Sequence, residues 1–323
     1  MRDVLVKDFP GPDEELKKVY ARKIEQMLQQ DSRVLSLDGD LMRTIATVEL
    51  WRKYPSQVFQ CGIAEANMIG VAAGLSSEGY IPFVHSFGAF SSRRVVDQVF
   101  MSCAYAKLNV KIIGSDPGIV SQLNGGTHAA NEDIAIMRSM PGITVVDITD
   151  TVMLPQIMDQ AAKTYGVFYL RVPRCAVPRV YASPVKFEIG RSKQLTDGGD
   201  AAIIASGIEV HQALEASAIL ASSGINARVI DMFTIAPLDK EAVIRAALET
   251  GAIVTAENHN INGGLGSAVA ECLAENSPCP MERIASTRFS DVGTLPYLIE
   301  NYGLSANHIA EAVKKAISRK TQA

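Results

Sequence analysis

Glu65 sits in the run Gly62-Ile63-Ala64-Glu65-Ala66-Asn67, between a short β-rich stretch and a helical pattern over residues 64–76. A carboxyl enclosed at such a junction in a dry cleft is disfavoured in its charged form, so it can hold a proton near neutral pH and hydrogen-bond to a ring nitrogen. A glutamate at a helix start also complements the helix dipole without any chemistry. Phe87 and Phe90 follow the next apolar run three residues apart, a spacing that suits either a helix core or an aromatic wall for a flat heterocycle. His128 precedes Asn131 and Glu132, where a histidine can donate to a developing oxyanion or relay a proton, or can merely open a helix.

These side chains need a scaffold. Leu16, Val19, Tyr20, Ile24, Met27 and Leu28 form one face of an N-terminal helix, and short β-rich runs then alternate with helical patterns. Strands are predicted at 34–37, 58–61, 81–85, 110–114, 144–148 and 168–172, which implies a mainly parallel sheet covered on both faces. Glu65, Phe87, Asp116 and Arg171 all follow or close one of these strands, where ligands collect in such sheets, so one cleft is expected. Pro173, Pro178, Pro184 and then Asp197-Gly198-Gly199 read as a linker over the surface. A second α/β unit follows, with strands at 201–205, 228–231, 252–256 and 283–286 and helices at 210–222, 239–249, 265–274 and 306–318. The fold class is therefore α/β with two domains, divided into 1–190 and 191–323.

A chain of 323 residues with 47% hydrophobic content is long enough for two cores. Its 31 basic and 35 acidic residues, net −4, argue against a nucleic-acid footprint or a polybasic membrane patch. Five cysteines with no CxxC or zinc spacing read as reduced thiols. No apolar leader occurs between Met1 and Tyr20 and no later run is long enough for a membrane span, so the cytoplasm is the expected location.

Taken in order, Gly62–Glu65, His85-Ser86-Phe87-Gly88-Ala89-Phe90, Asn124-Gly125-Gly126-Thr127-His128, Met140-Pro141-Gly142-Ile143, Glu257-Asn258-His259 and Gly263-Gly264-Leu265-Gly266-Ser267 resemble the transketolase family. The form resembled is the one split into two polypeptides, with this chain as the C-terminal one. The resemblance covers nearly the whole chain. It implies a domain for the pyrimidine of thiamine diphosphate over 1–190 and a transketolase C-terminal domain over 191–323. It also implies that Glu65 bonds the pyrimidine N1′ and so activates the cofactor's C2, with Phe87 and Phe90 as the aromatic wall. Arg93 replaces another aromatic, and is expected at the pyrimidine pocket, at an anion or at the partner. His128 matches a histidine that faces the substrate carbonyl and hydroxyls.

Three further positions bear on substrate. Asn124 replaces an aspartate that reads a substrate hydroxyl, and can still accept that bond without the charge. Asp116 replaces a phosphate-binding histidine, and a carboxylate there would repel phosphate. Arg171 matches the family's phosphate-binding arginine, with Arg174 just beyond it. Together these departures point to an atypical sugar carrying an anion.

The diphosphate half of the site has no counterpart. Enzymes of this class hold Mg²⁺ through a Gly-Asp-Gly triplet and a later Asn, hard oxygen donors that suit the ion. No Gly-Asp-Gly occurs here, and Asp38-Gly39-Asp40 reads as a strand-end turn. The resemblance thus implies thiamine diphosphate and Mg²⁺ as cofactors, with no metal ligand on this chain. An N-terminal subunit would supply the metal site in a two-fold symmetric heterotetramer. Gly263–Gly266 lacks the spacing of a nucleotide loop and reads as close packing. Two rival readings remain: the β subunit of a 2-oxo-acid dehydrogenase, which shares the two-domain plan and a segment like Val96-Asp97-Gln98-Val99, and a non-catalytic α/β subunit in which Glu65 has no role. Gly126-Thr127-His128 speaks for transketolase against the former.

Overall fold

The structure, a computed structural model, describes residues 5–6, 11–182 and 185–320. Pro184 of the predicted linker, and residues 1–4 and 7–10 of the N-terminal stretch, lie outside the described residues. Val34–Asp38, Ile81–Phe87, Lys111–Ser115 and Phe168–Val172 are buried along their whole length, as expected of central strands covered on both faces. They form the middle of a seven-stranded sheet, in the order Thr234–Ala236, Thr144–Asp147, Phe168–Val172, Lys111–Ser115, Ile81–Phe87, Val34–Asp38, Val58–Gln60. The six strands from the first half of the chain are all parallel, so their carboxyl ends share one edge. Helices Leu16–Gln30 and Met153–Lys163 pack against each other beside this sheet.

The seventh strand, Thr234–Ala236, comes from the second half and pairs antiparallel with Thr144–Asp147. Three residues are too few to show a period, so no residue pattern signals this exchange. The second sheet runs Met281–Ser286, Ile253–Asn260, Ala201–Ala205, Ala227–Asp231, Lys193–Gln194, parallel except for the last. Helix Ala306–Lys320 lies along helix Glu209–Ala221 beneath it. One hydrophobic cluster runs from Leu16 through Phe168 and Phe233 to Val313 and so spans both halves.

The connection between the sheets departs from the surface path expected of it. Val180, Tyr181, Val185 and Phe187 are buried, with Tyr181 edge-on to Phe187 at 4.7 Å and Phe187 edge-on to Phe233 at 5.6 Å. The Tyr181 hydroxyl donates to Asp231 Oδ2 at 2.7 Å. Proline spacing marks the segment as irregular, but its apolar side chains turn inward, away from water. No helix among the described residues is long and apolar enough to cross a membrane.

Candidate active site

Gly62, at φ +71°, turns the chain out of strand Val58–Gln60 and into helix Glu65–Ser77. Glu65 is the first residue of that helix and is 1% exposed. Ser86 Oγ donates to its Oε1 at 3.0 Å, and Arg94 Nη1 donates to its Oε2 at 2.8 Å. Gly39 makes room for it, since a β-carbon there would stand 3.3 Å from Glu65 Cγ and 3.4 Å from Ser86 Oγ. The Asp38-Gly39-Asp40 turn is thus part of the acid's packing. Behind it, His85 joins three strands at their carboxyl ends, with Nδ1 2.7 Å from Asp38 Oδ2 and Nε2 3.0 Å from Ser115 Oγ.

Phe87, Phe90 and His128 meet edge to face in one corner. Phe87 and Phe90 are 6.0 Å apart, and His128 lies 5.7 Å from Phe87 and 5.2 Å from Phe90. Thr127 Oγ1 is 2.8 Å from His128 Nδ1 and fixes the ring's orientation. Each phenylalanine also faces a guanidinium, Arg94 over Phe90 at 3.8 Å and Arg174 over Phe87 at 4.8 Å.

Beyond this corner lies a cavity of about 260 Å³ lined by Lys17, Asp116, Ser121, Gln122, Asn124 and Arg174. Asp116, held at φ +50°, accepts from the Arg174 backbone N–H at 3.0 Å and from Arg174 Nε at 2.6 Å. The buried Ser121 hydroxyl has no partner among the described residues.

One sequence-derived assignment needs correction. Arg171 was expected at the substrate anion, but it is fully buried and all three guanidinium nitrogens are engaged: Nε with Asp133 Oδ2 at 2.9 Å, Nη1 with Asp147 Oδ2 at 2.8 Å and Nη2 with the Asn258 carbonyl at 2.8 Å. Burial alone would push Arg171 toward neutrality, and Asp133 and Asp147 more than offset it, leaving its pKa above the ordinary value. The cavity arginine is Arg174. Arg93, expected at the pyrimidine pocket, at an anion or at the partner, donates to Glu132 Oε1 at 2.7 Å and to the Thr127 carbonyl at 2.9 Å, so within this chain it braces the segment carrying His128, with its side chain 39% exposed. Its neighbour Arg94 is the one that reaches the aromatic wall.

The second half supports these loops from behind. Asn258 donates to the Pro117 carbonyl and accepts from the Ile119 N–H, both at 2.9 Å, close against Gly118 at φ +55°. Asn131 Nδ2 donates to Ser290 Oγ at 2.8 Å. Glu257 accepts from the Leu265 and Gly266 N–H groups at 2.6 and 2.7 Å, and a β-carbon at Gly264 would collide with it, so the glycine run serves close packing. Burial raises Glu257 to about 7 and lowers His259 to about 4.

Residues 15–179 match the transketolase pyrimidine-binding domain, and residues 190–309 match the transketolase C-terminal domain. The chain belongs to the transketolase family. It is 46% identical over 306 residues to the 6-deoxy-6-sulfo-D-fructose transketolase subunit SqwH of Clostridium sp. strain MSTE9, covering 94% of this chain and 95% of that protein. It is 34% identical over 305 residues to an apulose-4-phosphate transketolase subunit of Phocaeicola vulgatus, covering 94% and 97%. Among solved structures it resembles a split-gene transketolase described as an inactive β4 tetramer, at TM-score 0.89 and 38% identity over 95% of this chain and all of that one. This chain is accordingly the C-terminal portion of a divided transketolase, a transferase, and the dehydrogenase alternative falls away.

Transketolases depend on thiamine diphosphate, and the residues of this chain fit its aminopyrimidine. A buried carboxylate backed by Ser86 is linked through Arg94 to the face of Phe90, which meets Phe87, and the side occupied by Arg94 is half open, with that side chain 42% exposed. Sequence reasoning missed Ser86 and Arg94 as contacts of Glu65. Ser86 lies within one of the family-like motifs, but its role depends on which way a fully buried strand turns each side chain, and nothing in the residue types separates Arg94 from Arg93.

Proposed function

We propose that this subunit, joined to an N-terminal subunit, transfers a two-carbon ketol unit from an atypical anionic ketose to an aldehyde acceptor. The observation that carries the reading is the buried Glu65, held by Ser86 and by Arg94, whose guanidinium also covers Phe90 in the Phe87–Phe90–His128 corner. Thiamine diphosphate would supply the nucleophilic carbon. Glu65 would bond the pyrimidine N1′ and hold or release its proton there, with Ser86 fixing the carboxyl. Phe87 and Phe90 would pack on the ring's flat face. His128, oriented by Thr127 and by the brace of Arg93, would donate to the substrate oxygen as negative charge develops. Asn124 would accept a hydrogen bond from a substrate hydroxyl.

The cavity bearing Arg174 receives the far end of the sugar in this reading. Asp116 fixes Arg174 and cancels much of its charge, which favours a monoanion such as a sulfonate over a phosphate dianion. The 46% identity to a sulfofructose transketolase subunit supports the same choice. Mg²⁺ and its ligands belong to the partner in this reading, because the chain matches only the pyrimidine and C-terminal domains and contains no Gly-Asp-Gly. A heterotetramer with sites at subunit boundaries, in the cytoplasm, completes the proposal; all five thiols are unpaired. We put the division between the two domains near residue 190.

The test is ketol transfer by the two co-purified subunits with sulfonated, phosphorylated and uncharged ketoses. The sulfonated ketose should give the highest kcat/KM, and Asp116→His should shift preference toward phosphate. Preference for a phosphorylated pentose by the wild type would overturn the substrate assignment, and no transfer with any ketose would overturn the reaction.

A further inference from the structure

Arg94 lies where the reading above puts the pyrimidine. Its guanidinium is stacked 3.8 Å from the centroid of Phe90 while Nη1 donates to Glu65 Oε2 at 2.8 Å. A guanidinium is flat, cationic and rich in N–H donors, so it satisfies an aromatic face and a buried carboxylate at the same time. An aminopyrimidine bonded through N1′ makes the same two demands of the same two residues. Both cannot be met at once.

The other arginines nearby are anchored elsewhere. Arg174 is tied to Asp116 through its backbone N–H and Nε, with its side chain 22% exposed. Arg93 is tied to Glu132 and to the Thr127 carbonyl. Arg94 bonds Glu65 through one nitrogen, and its 42% exposure means that it can be released into water without stranding a buried charge.

We propose that Arg94 is a place-holder: it caps Glu65 and covers Phe90 in the separate chain, and must leave both before thiamine diphosphate can enter. A charged Glu65 without a cap would have no counter-ion in a recess 1% exposed, and the pair supplies one in a subunit that has yet to meet its cofactor. The same contact makes cofactor binding weaker than the finished site would otherwise allow, since a competing internal contact reduces apparent affinity by the fraction of time it is made.

This inference rests on the proposed cofactor site. The experiment is calorimetric titration of thiamine diphosphate with Mg²⁺ into the assembled two-subunit complex, for the wild type, Arg94→Gln and Arg94→Lys, with thermal melts to establish folding. An ion pair open to water on the Arg94 side and a cation–π contact together support an expected gain of about tenfold in affinity for Arg94→Gln. Arg94→Lys, which keeps the charge but loses the flat fork, should fall between it and the wild type. Binding by the wild type with equal or weaker binding by Arg94→Gln would overturn the place-holder and leave the cofactor site standing. No binding by any of the three would remove the cofactor site, and the place-holder with it.

Discussion

The cleft edge and the interdomain seam use the same materials at the same kind of place. Each sets buried acid against an arginine near the carboxyl ends of parallel strands: the single carboxylate of Glu65 with Arg94 at the edge, the two of Asp133 and Asp147 with Arg171 at the seam. They differ in what closes them. At the seam the second half of the chain supplies the Asn258 carbonyl to Arg171 and the Ser206 hydroxyl to Asp147 at 2.9 Å, and Arg171 is fully buried. At the edge Arg94 holds Glu65 through one nitrogen and keeps much of its side chain in water. A saturated ion-pair network holds a structure together, whereas an unfinished one leaves a carboxylate free to change partners.

The largest effects should separate the two regions most sharply. Glu65→Gln should lower kcat of the assembled enzyme by about 10²–10⁴-fold, the range for a positioned acid–base group, while its thermal melt stays close to wild type. Comparable destabilisation in that variant would make Glu65 a structural acid like Asp133. Arg171→Met should behave in the opposite way, losing about 3–5 kcal/mol in urea denaturation because Asp133 and Asp147 are left without their counter-charge. A stable Arg171→Met enzyme with a greatly raised KM would return Arg171 to the substrate.

The seam should also be the pH-sensitive region. Burial pushes Asp231 up to about 8 and Glu257 up to about 7, from ordinary values of 3.8 and 4.5. The folded chain keeps these protons after the unfolded chain has released them, so their stabilisation is complete below about pH 4 and is lost as pH rises through 7–8. Each contributes a slope of at most about 1.4 kcal/mol per pH unit. His259, pushed down to about 4, acts with the opposite sign below about pH 6.5. Urea denaturation between pH 5 and pH 8 should therefore show falling stability, and Asp231→Asn should flatten the curve; an unaltered slope would exclude Asp231 as a source. The smallest effect belongs to the edge again. Phe87→Ala should weaken thiamine diphosphate binding by about 0.5–1.5 kcal/mol beyond area loss, and unchanged affinity would put Phe87 in the core alone.

The parallel sheet is legible in the residue pattern because apolar runs and helical periods alternate through the first half of the chain, and Glu65, Phe87, Phe90 and His128 stand out as motif residues at strand ends. The arginines do not. Phe168–Val172 is buried on both faces, so no alternation tells an inward side chain from one aimed at a cleft, and nothing local distinguishes Arg171 from the cavity arginine, Arg174. Arg93 and Arg94 fall in a short 3₁₀ turn, Arg93–Val95, between two brief helices, where counting 3.6 residues per turn from Phe90 fails. Thr234–Ala236 and the buried linker owe their places to partners far away in the chain, which no local pattern encodes.

The central claim is that this chain carries one half of a catalytic site whose acid is Glu65. Its most direct test is ketol transfer measured for the chain alone, the N-terminal subunit alone, the mixture, and the mixture made with Glu65→Gln, all with thiamine diphosphate and Mg²⁺. The account predicts transfer in the wild-type mixture, none from either chain alone, and near-complete loss with Glu65→Gln. Transfer by the chain alone, or wild-type rates in the Glu65→Gln mixture, would contradict it.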